Sequence, residues 1–393
     1  AVGMFKRAVE ADPEFVEAHG QLAYARALLH YQYQPSPTLP AEVLDAVETA
    51  ESLDATHPRA RAARGWYRYY VEADYEGALA VFRGLLEVRP SDGPLHRSVG
   101  LLQRRLGRFS ESIESFERAR RLDPRSPIIL RALTYTYIHA RRYDDAEEVL
   151  ALRSELLPED EGFNARFLAL ARLLATGDPE EARRTTADLL AREPADACCD
   201  NATLPLYGSA WRVLPAQDRR AAMEARAQEL EVDVARGDTV PLYHYLRAEI
   251  AVLDGRDAEA RATWETALAE YEKFVAAGEE DYRDRMVRAW SLGRLGRGDE
   301  AIAEARAAAS DPEAMNDHIQ ARPMTRALLA HMLARFGGQA GRDEAMNLLE
   351  PMATAEYGWI SIPGLRADPY WDALRDHPRF RRLVSGQAPA SAP

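Results

Sequence analysis

Cysteine and lysine are almost missing from this chain of 393 residues. The two cysteines, Cys198 and Cys199, are adjacent, so they are badly placed to form an ordinary disulfide with each other. A disulfide framework is therefore excluded, and nothing points to an oxidising compartment. Lysine occurs only at Lys6 and Lys273, which leaves arginine to carry nearly all of the positive charge. Arginine is the better cation for bidentate contacts with carboxylates and for stacking on tyrosine.

Long apolar runs are missing as well. No stretch reaches the roughly 18 consecutive apolar residues that a membrane-spanning helix needs, and no signal peptide is visible. The net charge of −13 argues against broad binding to nucleic-acid phosphates. The sequence therefore predicts no membrane span and no nucleic-acid binding in this region. It predicts a cytoplasmic location, or a periplasmic one if a membrane span lies upstream.

Motifs for catalysis and metal binding are also lacking. The chain has no His-x-x-x-His zinc spacing, nucleophile elbow, phosphate loop or kinase signature. Cys198, Cys199 and Asp200 lack the second ligand pair that a tetrahedral zinc site needs. Acidic pairs such as Asp144 and Asp145 fall at predicted helix starts, where carboxylates interact favourably with the helix dipole. We therefore expect no catalytic residue, no metal and no cofactor.

Proline, by contrast, returns at a fixed interval, because Pro90, Pro124 and Pro158 are separated by two steps of 34 residues. The residues between them recur in register, with a small residue at Ala78, Ser112 and Ala146 and a bulky apolar one four residues later at Phe82, Phe116 and Leu150. Two helices that cross closely need a small side chain where their backbones approach and a bulky one beside it. The proline ends the second helix because it has no amide hydrogen to donate. The pattern therefore predicts tandem pairs of helices.

These features resemble the tetratricopeptide repeat, a helix-turn-helix unit of about 34 residues. The resemblance implies an all-α, right-handed α-solenoid, in which each unit buries its apolar face against the next. The chain has no long run of alternating β-branched residues, which agrees with an all-α fold.

The repeat pattern also predicts how the chain is divided. The predicted segments are a repeat array over 1–194 with clear repeats at 59–160, an irregular helical segment at 195–240, degenerate repeats at 241–356, a helical cap at 357–385 and a disordered tail at 386–393. Within the cap, Asp368 is expected to begin a helix at Pro369. An insertion from Tyr31 to Pro40 is expected to project as a loop. Because the first repeat lacks one helix, we expect the native polypeptide to extend further upstream.

A narrower resemblance involves the unit at 74–90, the segment at 120–128 and the ending at 366–384. These resemble the C-terminal repeat region of large bacterial signalling proteins, which carry a serine/threonine kinase, nucleotide cyclase or winged-helix effector. The resemblance implies a non-enzymatic module that binds protein or peptide partners as the sensory or scaffolding arm of such a protein. Two alternatives stay open: a stand-alone scaffold without an effector, and a repeat-based enzyme with its site in 195–240.

In tetratricopeptide arrays, fixed positions of the first helix of each unit line a concave groove. Carried onto this sequence, they give a basic and aromatic set of candidate partner-binding residues: Tyr67, Tyr70, Arg97, Leu101, Arg104, Arg131, Tyr135, His139 and Arg172. Arginine forks and tyrosine faces suit an acidic peptide or another ligand with carboxylates. In the alternative interpretation, the arginines pair with nearby glutamates on solvated helix faces.

Overall fold

The computed structural model describes residues 1–32, 38–192, 212–235, 241–277, 282–319 and 321–386. Helices joined by short turns make up these residues, and no strand occurs among them. The prediction of an all-α solenoid of helical repeats is therefore confirmed. Cys198, Cys199 and the centre of the insertion, residues 33–37, lie outside the described residues.

Two compact units divide the chain, Ala1–Thr136 and Tyr137–Pro393. The helices of the first unit are α1 (Val2–Ala11), α2 (Val16–Gln32), α3 (Leu39–Asp54), α4 (Pro58–Tyr70), α5 (Tyr75–Val88), α6 (Gly93–Arg105), α7 (Phe109–Leu122) and most of α8 (Pro127–His139). The division falls inside α8, and thus inside the predicted array 1–194. The predicted boundary at residues 194 and 195 lies outside the described residues and stays a prediction.

The second unit continues the succession of helices. Its helices are α9 (Tyr143–Leu156), α10 (Glu161–Thr176), α11 (Pro179–Arg192), α12 (Ala216–Ala235), α13 (Pro241–Leu253), α14 (Asp257–Ala277), α15 (Tyr282–Arg294), α16 (Gly298–Ala309), α17 (Pro312–Asn316), α18 (Ala321–Phe336), α19 (Gly338–Thr354), α20 (Ile362–Ala367) and α21 (Pro378–Ser385). Short 3-10 helices cover Pro158–Asp160 and Pro369–Leu374.

Capping residues and prolines set the ends of the repeat helices. The Asp74 side chain accepts a hydrogen bond from the Gly77 amide at 2.9 Å, and so begins α5. Pro90, Pro124 and Pro158 each lie two residues beyond the end of a helix, α5, α7 and α9 respectively. The predicted helix pairs of the clear repeats therefore form where the period places them.

Close crossings between paired helices hold the repeats together. Ala78, Ser112 and Ala146 are completely buried at these crossings. The rings of Phe82 and Phe116 fit against glycines of the preceding helix, because a Cβ at Gly65 would come within 2.8 Å of Phe82 and one at Gly100 within 3.0 Å of Phe116. The small residues thus lie at the helix crossings and the bulky residues pack beside them, as the sequence pattern predicts.

The C-terminal residues of the second unit form short helices, as the sequence predicts. The Asp368 carboxylate accepts a hydrogen bond from the Tyr370 amide at 3.0 Å and begins the 3-10 helix Pro369–Leu374. Trp371, Leu374 and Phe380 are buried in the core of this unit. Residues 387–393 of the predicted tail lie outside the described residues.

Candidate partner-binding site

One face of the first unit carries most of the candidate residues. Helix α4 places Tyr67 and Tyr70 three residues apart, and α6 places Arg97, Leu101 and Arg104 at intervals of four and three residues. Residues three or four apart lie on the same side of a helix. Arg131 and Tyr135, four residues apart, lie in the same way on α8. We call this set of seven residues the basic-aromatic face.

Tyr70 belongs to a cluster of partly exposed rings. Its ring centroid lies 6.4 Å from Tyr24, 5.2 Å from Tyr31 and 5.5 Å from Trp66. Burial, followed by the neighbouring tyrosines, raises the pKa of the Tyr70 hydroxyl, and the charge of nearby Arg97 opposes this rise. The cluster therefore presents aromatic rings beside a cation.

Two arginines of α6 tie this face to other elements of the first unit. Arg105 donates hydrogen bonds to the hydroxyls of Tyr69, at 3.0 Å, and of Tyr31. Arg104 donates to the Ala132 carbonyl oxygen and to Thr136 Oγ1, both at 3.3 Å. Both guanidinium groups are thus held in place by these hydrogen bonds.

Arg97 differs from most arginines of the first unit. Arg64 bonds to Glu51, Arg83 to Glu111 and Arg108 to Glu76. Arg97 is half-buried and forms no hydrogen bond or ion pair with any of the residues that the structure describes. Its guanidinium is therefore available to a carboxylate from a partner.

The remaining members of the basic-aromatic face are exposed or half-buried. Arg131 is exposed, whereas Leu101 and Tyr135 are half-buried. Burial raises the pKa of the Tyr67 hydroxyl, and Arg64 lies 5.8 Å from the centre of its ring. The structure thus supplies apolar, aromatic and cationic groups on neighbouring turns.

The two candidate residues of the second unit have different surroundings. His139 is 0% exposed, and its ring lies 3.9 Å from that of Trp359. The prediction that His139 is open to a partner is therefore wrong, because the chain itself covers it. Arg172 donates to both carboxylate oxygens of Glu147, at 3.1 and 3.0 Å. For Arg172 the structure thus agrees with the alternative interpretation, pairing with a nearby glutamate.

Sequence reasoning missed three side chains that complete the site. Tyr24 and Tyr31 come from α2, and Trp66 comes from α4. Trp66 is not one of the positions that the repeat assigns to the groove. Helix α2 belongs to a repeat that the insertion interrupts, so the repeat pattern does not align its groove positions. The clustering of tyrosine at Tyr67, Tyr69 and Tyr70 was the available signal.

Family comparisons agree with this architecture. Two models of the tetratricopeptide repeat match the chain, at residues 65–127 and 103–170. Residues 65–170 are tetratricopeptide repeats. Repeats of this kind build protein-interaction scaffolds, and all seven residues of the basic-aromatic face lie within the matched repeats. No curated protein gave a significant match to the chain.

Several solved structures are similar to this chain at low sequence identity. A tetratricopeptide repeat protein from Parabacteroides merdae is 12% identical over 78% of this chain and 97% of its own, with a TM-score of 0.39. Yeast Tom70 is 11% identical over 98% of this chain and 83% of its own, with a TM-score of 0.35. The human IFIT1 dimer with m7Gppp-AAAA is 15% identical over 89% of this chain and 93% of its own, with a TM-score of 0.35.

Metal and membrane sites were searched among the described residues only. They contain no group of three or more histidine, cysteine, aspartate or glutamate side chains arranged to hold a metal ion. Within the same ranges, no helix is long and apolar enough to cross a membrane. Of the segment 195–240, the alternative place for an enzyme site, residues 195–211 and 236–240 lie outside the described residues.

Proposed function

We propose that the basic-aromatic face of the first unit binds an acidic segment of a partner protein. The observation that carries this proposal is Arg97, a half-buried arginine without an ion pair among the described residues, beside the rings of Tyr70 and its neighbours. A carboxylate that reaches Arg97 would form a charge-assisted hydrogen bond in a partly desolvated setting. The adjacent rings offer a flat apolar surface for the rest of the segment.

Preorganisation supports the same function. Arg104 is already held by hydrogen bonds to Thr136 Oγ1 and to the Ala132 carbonyl oxygen, so little of its side-chain entropy is lost when a ligand approaches. Affinity on such a face comes from a preformed surface rather than from one deep pocket.

We further propose that this scaffold serves as the sensory or scaffolding arm of a larger bacterial signalling protein. The support is the resemblance of residues 74–90, 120–128 and 366–384 to the repeat regions of such proteins. The nucleotide sequence upstream of Ala1 tests this role. A kinase, cyclase or winged-helix reading frame there would support it, and a start codon only one or two helices upstream would favour a stand-alone scaffold.

Charge reversal tests the binding surface. We expect the double variant Arg97→Glu, Arg131→Glu to bind a fluorescein-labelled peptide rich in glutamate and tyrosine at least about tenfold more weakly at low salt, because two attractions become repulsions. Fluorescence anisotropy measures the affinity. Arg118→Glu, Arg121→Glu on α7 makes the same change in net charge and serves as the matched control. Equal affinities of the Arg97/Arg131 variant and the unmodified protein at low salt would contradict this placement.

A further inference from the structure

After α19 the chain turns back along the second unit, and we call residues 357–374 the return segment. It begins at the end of α8, where the Gly358 amide donates to the His139 carbonyl oxygen at 2.7 Å. The ring of Trp359 packs edge-on against His139, and its Nε1–H donates to the Ile319 carbonyl oxygen at 3.0 Å. One tryptophan thus joins two parts of the unit that are far apart in sequence.

The return segment next contacts the end of α10. Ser361 Oγ donates to the Leu174 carbonyl oxygen at 2.6 Å. A Cβ atom at Gly177 would come within 2.7 Å of the Pro363 carbonyl oxygen, so the two backbones touch directly. Arg141 donates to the carbonyl oxygens of Ala353 and Ile360 at 2.9 and 2.8 Å. The segment is therefore fixed through main-chain atoms, as a bound peptide is.

Its last part lies against α15 and α18. The ring of Tyr370 stacks on His331 at 3.8 Å and lies 5.6 Å from Trp290. Arg212 donates to Asp368 Oδ1 at 2.9 Å and lies 4.6 Å from the centre of the Tyr370 ring. Aromatic stacking and a bidentate ion pair thus anchor this end.

Two of the residues that the return segment contacts, His139 and Trp290, occupy positions that correspond to the candidate surface of the first unit. Leu106–Gly107 and Leu295–Gly296 end the first helices of their repeats in the same way, with glycine φ values of 75° and 79°. In this register Trp290 is the equivalent of Leu101. His139 is itself one of the predicted groove positions. His139 and Trp290 are therefore both groove positions, in the repeats that begin with α8 and α15.

We propose that the return segment is an internal ligand that closes the groove of the second unit. The segment contributes Trp359, Tyr370, Trp371 and Leu374, which are 3, 7, 4 and 0% exposed. Burial of side chains this large favours the docked state strongly, so the segment stays bound rather than acting as a switch. A partner segment would have to displace it in order to use this groove. The inference is independent of the binding role proposed for the first unit.

Cleavage of the full chain between Glu356 and Tyr357 tests the proposal. Both residues precede the buried part of the segment and Glu356 is exposed, so a protease recognition sequence inserted there is accessible. After cleavage of the folded protein, we expect residues 357–393 to co-elute with the rest of the chain in gel filtration at micromolar concentration. Separation of the two parts while the larger one keeps its helical circular dichroism would overturn the proposal.

A matched pair of serine variants shows whether the described contacts hold the fragment. Ser361→Ala removes the bond to Leu174, whereas Ser385→Ala changes an exposed serine of the same fragment. In the cleaved protein, we expect release of the fragment to become at least about fivefold faster with Ser361→Ala and to stay unchanged with Ser385→Ala. Equal release rates of both variants would contradict the proposal that the contact of Ser361 with Leu174 holds the fragment.

Hydrogen exchange of the uncut protein provides a test that does not depend on cleavage. The amides of Gly358, Leu365 and Asp368 donate hydrogen bonds within the second unit. We expect them to exchange as slowly as amides in the middle of α18, because both belong to the same buried core. Exchange at the rate of an unstructured peptide would overturn the proposal.

Discussion

The imidazole of His331 is 5% exposed and stacks on the ring of Tyr370. Its Nδ1 lies 2.8 Å from the Tyr370 carbonyl oxygen, which can only accept, so Nδ1 carries the hydrogen. Burial lowers the pKa of His331 from 6.5 to about 3, against the opposing effect of this hydrogen bond. The folded protein thus keeps the ring neutral at a pH where the unfolded chain protonates it.

This difference makes the stability of the second unit depend on pH. Below pH 6.5 His331 is protonated in the unfolded state, whereas in the folded state it stays neutral down to about pH 3. The free energy of unfolding should therefore fall as the pH falls through this window, by up to about 1.4 kcal/mol per pH unit from this group. Urea denaturation of the unmodified protein and of His331→Gln at pH 7, 6 and 5 measures it. We expect a smaller slope for His331→Gln, and identical slopes would contradict the assignment.

Arg97, Arg104 and Arg172 show what the sequence alone could predict of the candidate site. The repeat period located all three on the first helices of their repeats, because that placement depends only on local spacing. Their partners depend on the neighbouring helix, which a single period does not specify. Arg172 meets Glu147 and Arg104 meets Thr136, whereas Arg97 meets no carboxylate among the described residues.

The crossing of paired helices tolerates only small side chains at one position. Ala78 is 0% exposed at such a crossing, whereas Ala80, two residues along the same helix, is exposed. We expect Ala78→Leu to lower the free energy of unfolding by about 1–3 kcal/mol, because added methylenes force the helices apart. Ala80→Leu should change it by less than about 0.5 kcal/mol. Urea denaturation compares them, and equal effects would contradict the packing described for α5.

Two glycines that end helices allow the effect of backbone strain to be distinguished from the effect of contact with the return segment. Gly177 and Gly255 have φ values of 72° and 71°, so alanine costs about 1–2 kcal/mol at either position. A Cβ at Gly177 also meets the Pro363 carbonyl oxygen at 2.7 Å, whereas one at Gly255 meets nothing within 4 Å. We therefore expect Gly177→Ala to be the more destabilising variant in thermal unfolding. Equal losses of thermal stability in the two variants would contradict the close contact between the return segment and the end of α10.

The repeat pattern did not predict which distant segments of the second unit contact each other. The sequence predicted a helical cap at 357–385, since its helix starts depend on local spacing, and Trp371, Leu374 and Phe380 of this segment are buried. It did not predict that Ser361 bonds to Leu174, 187 residues earlier in the chain. Such contacts depend on the summed rotation of many repeats, and several of these are degenerate in sequence. The same limit explains why His139 was expected on an open surface.

The described core clusters of the two units lie in well-separated parts of the chain. The described core clusters of the first unit join residues between Ala23 and Leu102, whereas that of the second joins residues between Leu214 and Phe380. In repeat proteins, stability is a sum of local terms, so a local defect need not spread. Ala78→Leu should therefore speed hydrogen exchange in α4–α7 and leave α13–α18 unchanged, and Phe380→Ala should do the reverse. Exchange mass spectrometry measures both, and a uniform rise along the chain with either variant would show a single cooperative unit.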